Sequence, residues 1–306
     1  MTAAAIDAPH FKRIAILGFG LIGSSVARVV RRNGAADHIA ACAKSAATRA
    51  AAIDLGLADS AHADPAAAVL GSDFVLMCTP LGAYRDLVLA FAPALKPGAI
   101  VSDVGSVKEA VIRDIGPLIP AGVHFVPGHP VAGTEQSGPG AGFAELFQGR
   151  WCILTPPPGT DADAVDTVAN FWRRAGSEIE IMDAAHHDLV LAVTSHLPHL
   201  IAYNIVGTAD DLEAVTESEV IKFAAGGFRD FTRIAASDPV MWRDIFLANR
   251  EAVLEMLGRF NDDLSQLQRA IRRDDGDALT ALFTRTRRIR REVMNAGQAD
   301  DGEPKD

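Results

Sequence analysis

The sequence of 306 residues contains only three cysteines, Cys42, Cys78 and Cys152. No two of them are close in sequence, and each lies in an apolar run of strand-like composition. Neither a disulfide framework nor the Cys and His spacing of a zinc site can be assembled from this set. We therefore expect buried, reduced thiols and no metal site.

Basic residues are also fewer than acidic ones. The chain has 29 Lys and Arg residues and 39 Asp and Glu residues, which gives a formal net charge of −10. An acidic chain repels a phosphate backbone over most of its surface. The one basic run, at residues 285–291, has helical composition and is typical of a solvated helix face. We expect no nucleic-acid partner, and an anionic substrate requires cations that are placed locally.

Long uninterrupted apolar runs are missing as well. Residues 1–11 show no basic segment followed by an apolar core, so we expect no signal peptide. The most apolar stretch, residues 189–206, is interrupted by Ser195, His196, Pro198, His199 and Asn204. We interpret it as a buried helix that is too short and too polar to span a bilayer. The sequence predicts a cytoplasmic protein without a membrane partner.

From residue 13 onward, short apolar strands alternate with segments of helical composition. The predicted strands are 13–18, 38–43, 73–78, 99–103, 123–127, 151–155 and 178–182. Strands that alternate with helices form right-handed crossovers and a mostly parallel sheet. The alternation stops near residue 182, and only helix-length segments follow. The predicted fold class is therefore α/β followed by an all-α domain.

A glycine-rich motif, GFGLIG at residues 18–23, directly follows the first strand and opens the first helix. The first glycine permits a tight turn, the second lets the backbone approach a pyrophosphate, and the third allows close packing of helix on strand. Free N–H groups at the helix N-terminus face the anion. This context predicts a Rossmann-like cofactor site that includes Gly18, Gly20, Leu21, Ile22 and Gly23.

The end of the second strand bears on the choice between NAD and NADP, because an acidic residue about 20 positions beyond the glycines binds the ribose of NAD. This chain has no acid there, and Lys44, Ser45 and Arg49 follow instead. Without a carboxylate a 2′-phosphate is not repelled, which slightly favours acceptance of NADP; the alternative is that NAD binds without this contact. Thr79 and Pro80, at the end of the third strand, complete the predicted cofactor site.

A histidine and a serine follow neighbouring strands at the carboxyl edge of the predicted sheet. His129 stands in a predicted loop, exposed to the cleft, with the near-neutral pKa that a general base needs. Ser106 is expected to contact His129 or a substrate hydroxyl, to form a capping box with Glu109, or both. A serine–histidine nucleophile is the rival chemistry, but the chain has no GxSxG elbow.

Polar residues in the apolar helical segment indicate a second part of the site. Ser195 and His199 lie four positions apart and share a helix face, whereas His196 is interpreted as a core histidine. Polar groups on a buried face need a packing partner or a ligand. Arg229 follows a pair of glycines and can clamp a carboxylate through two hydrogen bonds.

The expected domains are a dinucleotide-binding domain at residues 1–183, a helical substrate and dimerisation domain at 184–296, and a disordered tail at 297–306. Apolar residues recur at three- and four-residue spacing from Ile245 to Ile271, which predicts one long helix. A stripe of that length exceeds what a small helical domain covers by itself. We therefore favour a homodimer formed through the helical domain, with a monomeric bundle as the alternative.

Five segments of the chain resemble the prephenate/arogenate dehydrogenase family, whose members are also called cyclohexadienyl dehydrogenases. The segments are GFGLIGSS, DVGSVK, GHPVAGTE, TSHLPH and GGFRDFTRIAASDPVMWRDI, in that order, and the resemblance extends from residue 13 to about 296. Each is a modest signal alone, but the five in order are specific. The resemblance implies a Rossmann-like domain followed by a helical dimerisation domain.

The resemblance also implies a reaction, the oxidative decarboxylation of prephenate to 4-hydroxyphenylpyruvate, or of arogenate to tyrosine, with hydride transfer to NAD or NADP. It makes His129 the base for the ring 4-hydroxyl, with Ser106 as its partner. The substrate-binding residues that it implies are Arg229 for the ring carboxylate, His199 for the side chain, and Ser195 and Glu135 in the surrounding pocket. The sequence does not distinguish prephenate from arogenate.

Two other functions are weighed against this one. A β-hydroxyacid dehydrogenase has the same layout but uses a catalytic lysine in its helical half, where Lys222 stands alone without a glycine-rich setting. A non-catalytic dinucleotide sensor needs the glycine motif but not the GHPVAGTE and GGFRD segments. Both alternatives explain fewer of the motifs than a dehydrogenase of cyclohexadienes does.

Overall fold

The computed structural model describes residues 9–134, 136–213 and 225–295. The chain divides into two compact units, Met1–Asn249 and Arg250–Asp306. The helices between residues 184 and 249 thus belong to the same compact unit as the sheets. The domain boundary expected at residue 183 stays a prediction, and the tail expected at residues 297–306 lies outside the described residues.

A six-stranded parallel sheet forms the centre of the first unit. Its strands are β1 Phe11–Leu17, β2 Ala36–Cys42, β3 Ser60–His62, β4 Phe74–Met77, β5 Ile100–Asp103 and β6 His124–Val126. They lie in the order β3-β2-β1-β4-β5-β6, and all neighbours are parallel. The order reverses between β1 and β4, which is where sheets of this type bind dinucleotides. The predicted Rossmann-like fold class is confirmed.

Helices cover both faces of this sheet, which explains why β4 and the second halves of β1 and β2 are continuously apolar and buried. The helices are α1 Leu21–Asn33, α2 Ala46–Asp54, α3 Pro65–Val69, α4 Tyr84–Phe91 and α5 Glu109–Ile115. Along β1, Ile14 and Ile16 pack into one apolar cluster, whereas Ala15 and Leu17 pack into the other. Alternate side chains of a strand point to opposite faces, so a single strand contributes to two cores.

A second sheet of three strands follows, with β7 at Gly128–Pro130, β8 at Trp151–Leu154 and β9 at Glu178–Ile181. β7 is antiparallel to β8, and β8 is parallel to β9, with α6 Ala162–Ala175 as the connection. The loop predicted at His129 is wrong, because residues 128–130 pair with β8. Neither β7 nor β3 was predicted, since neither lies in an apolar run.

The rest of the first unit is helical in the described residues, as predicted. It comprises α7 Ala184–Leu191, a π-helical turn Ala192–His196, α8 Leu197–Glu213, α9 Gly226–Thr232, a 3-10 turn Arg233–Ala236 and α10 Pro239–Ala248. Asp238 begins α10 by accepting a hydrogen bond from the backbone N–H of Met241 at 2.8 Å. An aspartate before a proline is a common helix N-terminus, because the carboxylate accepts from a free N–H and proline needs no hydrogen bond at the first position.

The helix Ala184–Leu212 is longer than the sequence analysis expected. Its 29 residues are long and apolar enough, by length and composition alone, to cross a membrane, although core helices of soluble proteins meet the same criteria. Only 22% of its most apolar window is buried within the chain. The expectation of a short, buried helix is therefore wrong on both counts, because the polar residues along it do not interrupt the helix.

The second unit contains α11 Arg250–Arg272 and α12 Gly276–Asn295. The single helix predicted from residue 245 to 271 is therefore wrong, because α10 ends before Asn249 and α11 begins after it. The side-chain amide of Asn249 donates hydrogen bonds to the backbone oxygen of Asp188 at 2.8 Å and to Nδ1 of His196 at 3.1 Å. An asparagine whose side chain binds elsewhere is a common helix end, and periodicity alone does not detect it.

Candidate active site

The glycine motif forms the turn between β1 and α1, and it matches the shape that a dinucleotide requires. Gly18 has φ +97°, and a Cβ there would lie 2.6 Å from the carbonyl of Cys78. A Cβ at Gly23 would lie 2.1 Å from the oxygen of Gly18, so the third glycine is needed for close packing. Beside Gly20, by contrast, no atom lies within 4 Å. The second glycine therefore faces open space, as a backbone that receives a pyrophosphate must.

The ends of β2 and β4 flank this turn. The N–H of Gly18 donates to the oxygen of Cys42 at 2.9 Å, and the N–H of Cys78 donates to the oxygen of Leu17 at 2.6 Å. The segments 43–45 and 79–80 are thereby brought to the glycine motif. The hydroxyl oxygen of Thr79 is buried and has no hydrogen-bond partner among the described residues. Such a group fits a site that a polar cofactor completes.

The segment after β2 presents a cation but no acid. Ser45 caps α2 by accepting a hydrogen bond from the N–H of Thr48 at 3.4 Å. Arg49 donates to the oxygens of Ala43 and Lys44 at 2.7 and 2.8 Å, which braces the loop. The side chain of Lys44 is exposed. Two of the three polar residues predicted here thus have structural roles, and Lys44 remains available to a ligand.

His129 lies in β7 and is only 7% exposed. Burial lowers the pKa of His129 well below its usual value of 6.5, and the nearby His187, Lys108 and His196 lower it further. The prediction of an exposed histidine with a near-neutral pKa is wrong, because β7 pairs with β8 and the ring enters the interior. A buried ring is uncharged and keeps a lone pair for accepting a proton.

His187 and Asp188, both in α7, contact His129 and were missed by the sequence analysis. Nδ1 of His129 lies 2.8 Å from Nε2 of His187, and Nδ1 of His187 lies 2.7 Å from Oδ1 of Asp188. All three residues are buried. A histidine followed by an aspartate before a long apolar stretch was the available signal, but nothing local indicates that it meets β7.

Asp188 also begins α5. Its two carboxylate oxygens accept the backbone N–H groups of Lys108 at 2.7 Å and of Glu109 at 2.9 Å. The capping box predicted between Ser106 and Glu109 is therefore wrong, since a side chain from α7 satisfies these donors. Ser106 is half-buried just before α5. Nδ1 of His129 is bonded to His187 and not to Ser106.

A buried ion pair holds the strand that carries His129. Nζ of Lys108 lies 2.6 Å from the Asp103 carboxylate, and neither side chain is exposed. The same Nζ donates to the oxygen of Gly128 at 2.7 Å, and Asp103 accepts the N–H of Gly128 at 3.2 Å. A buried pair with its remaining hydrogen bonds satisfied contributes geometric definition more than stability. It ties the end of β5 to the start of β7.

His196, at the end of the π-helical turn, and His199, in the helix after it, have different surroundings. His196 is fully buried, and burial lowers its pKa to about 4, as expected of a core histidine. His199 is half-buried; its Nδ1 bonds to the oxygen of Ser195 at 2.9 Å, and its ring stacks on Trp242 with 3.6 Å between ring centroids. Burial lowers the pKa of His199. Its Nε2 remains for a ligand.

Two arginines four positions apart follow on α9 and the adjoining 3-10 turn. Arg229 and Arg233 are both exposed. Arg233 lies close enough to His199 for its charge to lower the pKa of that ring, whereas Arg229 is not among the groups that act on it. Arg233 therefore lies near His199, and the role predicted for Arg229 as a carboxylate clamp stays a prediction. The predicted pocket residue Glu135 lies outside the described residues.

A parallel sheet with a glycine turn at its switch point, next to a buried histidine, defines a dinucleotide-dependent dehydrogenase. The chain belongs to the prephenate dehydrogenase family. Its residues 26–181 match the family model described as prephenate dehydrogenase, nucleotide-binding domain. Residues 183–285 match the model described as prephenate dehydrogenase, dimerization domain.

Individual relatives agree with this assignment. Cyclohexadienyl dehydrogenase of Zymomonas mobilis is 44% identical over 280 residues, which cover 92% of this chain and 95% of that protein. Prephenate dehydrogenase of Bacillus subtilis is 32% identical, over 88% of this chain and 73% of its own length. The crystal structure of prephenate dehydrogenase from Aquifex aeolicus with hydroxyphenyl propionate and NAD+ matches with a TM-score of 0.87 and 34% identity, covering 92% of this chain and 98% of that one.

The chain is therefore an oxidoreductase of this family that uses a nicotinamide cofactor, as predicted. The family carries out an NAD-linked oxidative decarboxylation in tyrosine biosynthesis. The arogenate dehydrogenase of Synechocystis also matches, with a TM-score of 0.78 and 27% identity over 92% of this chain and 99% of that one. A 3-hydroxyisobutyrate dehydrogenase, the rival class, shares the fold alone, with 15% identity and a TM-score of 0.56.

Proposed function

We propose that this protein oxidises and decarboxylates prephenate, arogenate or both, with His129 as the general base. The observation that carries the proposal is the environment of His129. Its ring is buried at the start of the second sheet, its Nδ1 is engaged by His187, and the described residues provide no hydrogen-bond partner for its Nε2. A neutral ring with one nitrogen held and the other open is the arrangement that a base requires.

The glycine turn, Thr79 and Pro80 hold the cofactor, and the oxidised nicotinamide supplies the hydride acceptor when it is bound. Nε2 of His129 takes the proton of the ring 4-hydroxyl as the ring carbon is oxidised to a ketone. The ring carboxylate then leaves as carbon dioxide, and its bonding electrons complete the aromatic ring. Ser106, half-buried before α5, contacts the same hydroxyl. Burial of His129 excludes water, which strengthens its interaction with the substrate.

Substrate binding is assigned to the residues around His199. Arg233 holds the ring carboxylate, because it is the cation that acts on His199, and a guanidinium binds a carboxylate through two parallel hydrogen bonds. Nε2 of His199 and the Ser195 side chain meet the substrate side chain. Arg229, the residue expected for the carboxylate, is then left for a secondary role, and the contact expected of Glu135 stays a prediction.

Acceptance of NADP is proposed in addition to NAD. No acid follows β2, and the exposed ammonium of Lys44 is available to a 2′-phosphate, while Ser45 and Arg49 are occupied within the loop. A carboxylate at this point would repel a phosphate, and its absence removes that discrimination.

The protein is further proposed to act as a cytoplasmic homodimer. Its helical part matches a dimerization domain, and the helix Ala184–Leu212 has apolar side chains at the surface of the isolated chain, including Val193 and Ile205. A second copy that covers this face accounts for the exposure without a membrane.

The decisive experiment measures initial rates of reduced-nicotinamide formation for the four pairings of prephenate or arogenate with NAD or NADP. We expect turnover with at least one pairing and a loss of about 10³-fold or more in kcat for His129→Asn. His186→Asn is the matched control, because His186 is an exposed histidine and should leave the rate unchanged.

Two outcomes would overturn the proposal in different ways. No turnover in any pairing, by protein that still binds a dinucleotide, would exclude the reaction and favour the sensor or hydroxyacid alternatives. Full activity in His129→Asn would keep the reaction but remove the assigned base.

A further inference from the structure

Three buried side chains form a continuous line of hydrogen bonds that leads away from the candidate base. Nδ1 of His129 meets Nε2 of His187 at 2.8 Å, and Nδ1 of His187 meets Oδ1 of Asp188 at 2.7 Å. The two histidine rings stand edge to face, with 5.1 Å between their centroids. Neither His187 nor Asp188 is needed to explain the fold of α7, which has its own cap at Asp183.

The hydrogen-bond chemistry of this line determines the tautomer of His129. Both carboxylate oxygens of Asp188 accept backbone N–H groups, from Lys108 and Glu109, so Asp188 acts as an acceptor. Nδ1 of His187 must therefore carry the proton directed at Asp188. In a neutral ring the other nitrogen, Nε2, is then an acceptor, and Nδ1 of His129 must donate to it. Nε2 of His129 is left with its lone pair.

We propose that His187 and Asp188 are positioning residues that hold His129 in the tautomer required of the base and stabilise its cation after proton transfer. In the reaction the hydroxyl O–H bond of the substrate breaks and a new N–H bond forms at Nε2 of His129. The proton on Nδ1 stays in its hydrogen bond to His187. This inference rests on the proposed role of His129 as the base.

The charges around the two rings show why Asp188 is needed. His129 is faced by the cation Lys108 and by His187 and His196. His187 is faced by Lys108, Asp103 and Asp188, of which the two carboxylates favour its charged form. Asp103 is already paired with Lys108 at 2.6 Å. Asp188 is therefore the negative charge left to offset a positive charge that forms on the histidines.

The electrostatic role has a defined sign. Burial is the main cause that lowers the pKa of His187, and the hydrogen bond that His187 donates to Asp188 raises it. Removing the carboxylate makes the cationic form of the histidine pair less favourable, so the pKa of the pair falls further. The acidic limb of the kcat/KM profile, where the base becomes protonated, must then move to lower pH. A purely structural role for Asp188 would leave this limb in place.

The experiment compares His187→Gln and Asp188→Asn in the full-length protein with the matched control His186→Gln, an exposed neighbour on α7. We expect Asp188→Asn to lower kcat by about 10²- to 10⁴-fold, because an amide can donate to His187 and reverse both tautomers. His187→Gln keeps the Asp188 cap of α5 and can accept from His129, so a smaller loss, on the order of tenfold, is expected. KM for the substrate should change less than about twofold in both, since neither residue contacts it.

Two further readouts separate positioning from folding. In protein labelled with 15N-histidine, the nitrogen shifts of His129, assigned by comparison with His129→Asn, should report protonated Nδ1 in the native protein and protonated Nε2 in Asp188→Asn. The acidic limb of kcat/KM should move to lower pH in Asp188→Asn, to higher pH in His187→Gln because His187 lowers the pKa of His129, and not at all in His186→Gln. If Asp188→Asn does not fold, His187→Gln alone decides through its pH profile.

The positioning role of His187 and Asp188 and the base role of His129 can be contradicted separately. If His129→Asn is inactive while His187→Gln and Asp188→Asn keep the native kcat, pH profile and His129 tautomer, the positioning role is wrong and the base assignment stands. If His129→Asn is itself active, the proposed function of His129 is wrong. A loss of activity with unchanged pH profile and tautomer also contradicts the inference, since it points to a structural role alone.

Discussion

At the scale of the residue, the site is governed by histidines in a dry environment. Burial lowers the pKa of His129, His187, His196 and His199, so these rings are neutral near pH 7. Each neutral ring has one donor and one acceptor nitrogen, and its partners determine which is which. In these buried rings the direction of the hydrogen bonds, and not a pKa near neutrality, determines which nitrogen can accept a proton.

The two arginines give a prediction at this scale. Arg233→Met should raise KM for prephenate by about 10- to 100-fold, since a charged hydrogen bond to a carboxylate contributes about 1.5–3 kcal/mol. Arg229→Met has the same change in size and charge four residues away and should raise KM less. Steady-state kinetics on both variants test this, and the reverse order would restore Arg229 as the carboxylate ligand.

At the scale of the element, two irregular pieces of backbone place the functional side chains. β7 has only three residues, yet its pairing with β8 turns His129 into the interior. The π-helical turn Ala192–His196 lets His196 enter the core while Ser195 stays half-buried and His199, also half-buried, stacks on Trp242. One extra residue in a π-helical turn changes which side chains share a helix face. Such turns are often found at functional sites.

The turn between β1 and α1 gives a prediction at the scale of the element. Gly20→Ala should leave stability nearly unchanged, since no atom lies within 4 Å of the added Cβ, and should raise KM for the nicotinamide cofactor about tenfold or more. Gly116→Ala is the matched control, because its Cβ also meets no atom within 4 Å and it lies beyond α5.

Thermal melts and cofactor titrations on the two variants distinguish the outcomes. Equal cofactor affinity in Gly20→Ala and in the native protein would show that the open space beside Gly20 is not the pyrophosphate site. A large fall in melting temperature would show that the glycine is required for folding instead.

At the scale of the whole molecule, the apolar exposure of the helix Ala184–Leu212 requires a cover. Only 22% of its apolar window is buried in the isolated chain, and the matched family domain is a dimerization domain. Burial of apolar surface between two identical helical faces stabilises a twofold dimer.

A single charge on this face gives the prediction for the whole molecule. Val193, 47% exposed, is a suitable position, and Val193→Glu should convert a dimer to a monomer by burying an unpaired carboxylate in the interface. Light scattering after gel filtration measures the mass, and Leu70→Glu, an exposed apolar position on the α/β side, is the control. A native protein that is monomeric, or that stays in solution only with detergent, would contradict the dimer.

The sequence by itself determined the α/β architecture, the glycine turn and the helical second half. Each of these depends on local features, namely apolar periodicity and a glycine motif between a strand and a helix, which are visible within about 20 residues. It also determined the family, because five short segments occur in a specific order. His129 could be identified for the same reason, since its motif is contiguous.

Only the tertiary structure decided that His129 is buried and bonded to His187, and that Arg233 lies near His199. His129 and His187 are 58 positions apart, and Asp188 caps a helix that begins 79 positions before it. Contacts of that separation depend on how β7 and α7 pack, and no local pattern encodes them. Arg229 and Arg233 are equivalent by chemistry and lie on the same short segment, so only the tertiary structure shows that the charge of Arg233 acts on His199.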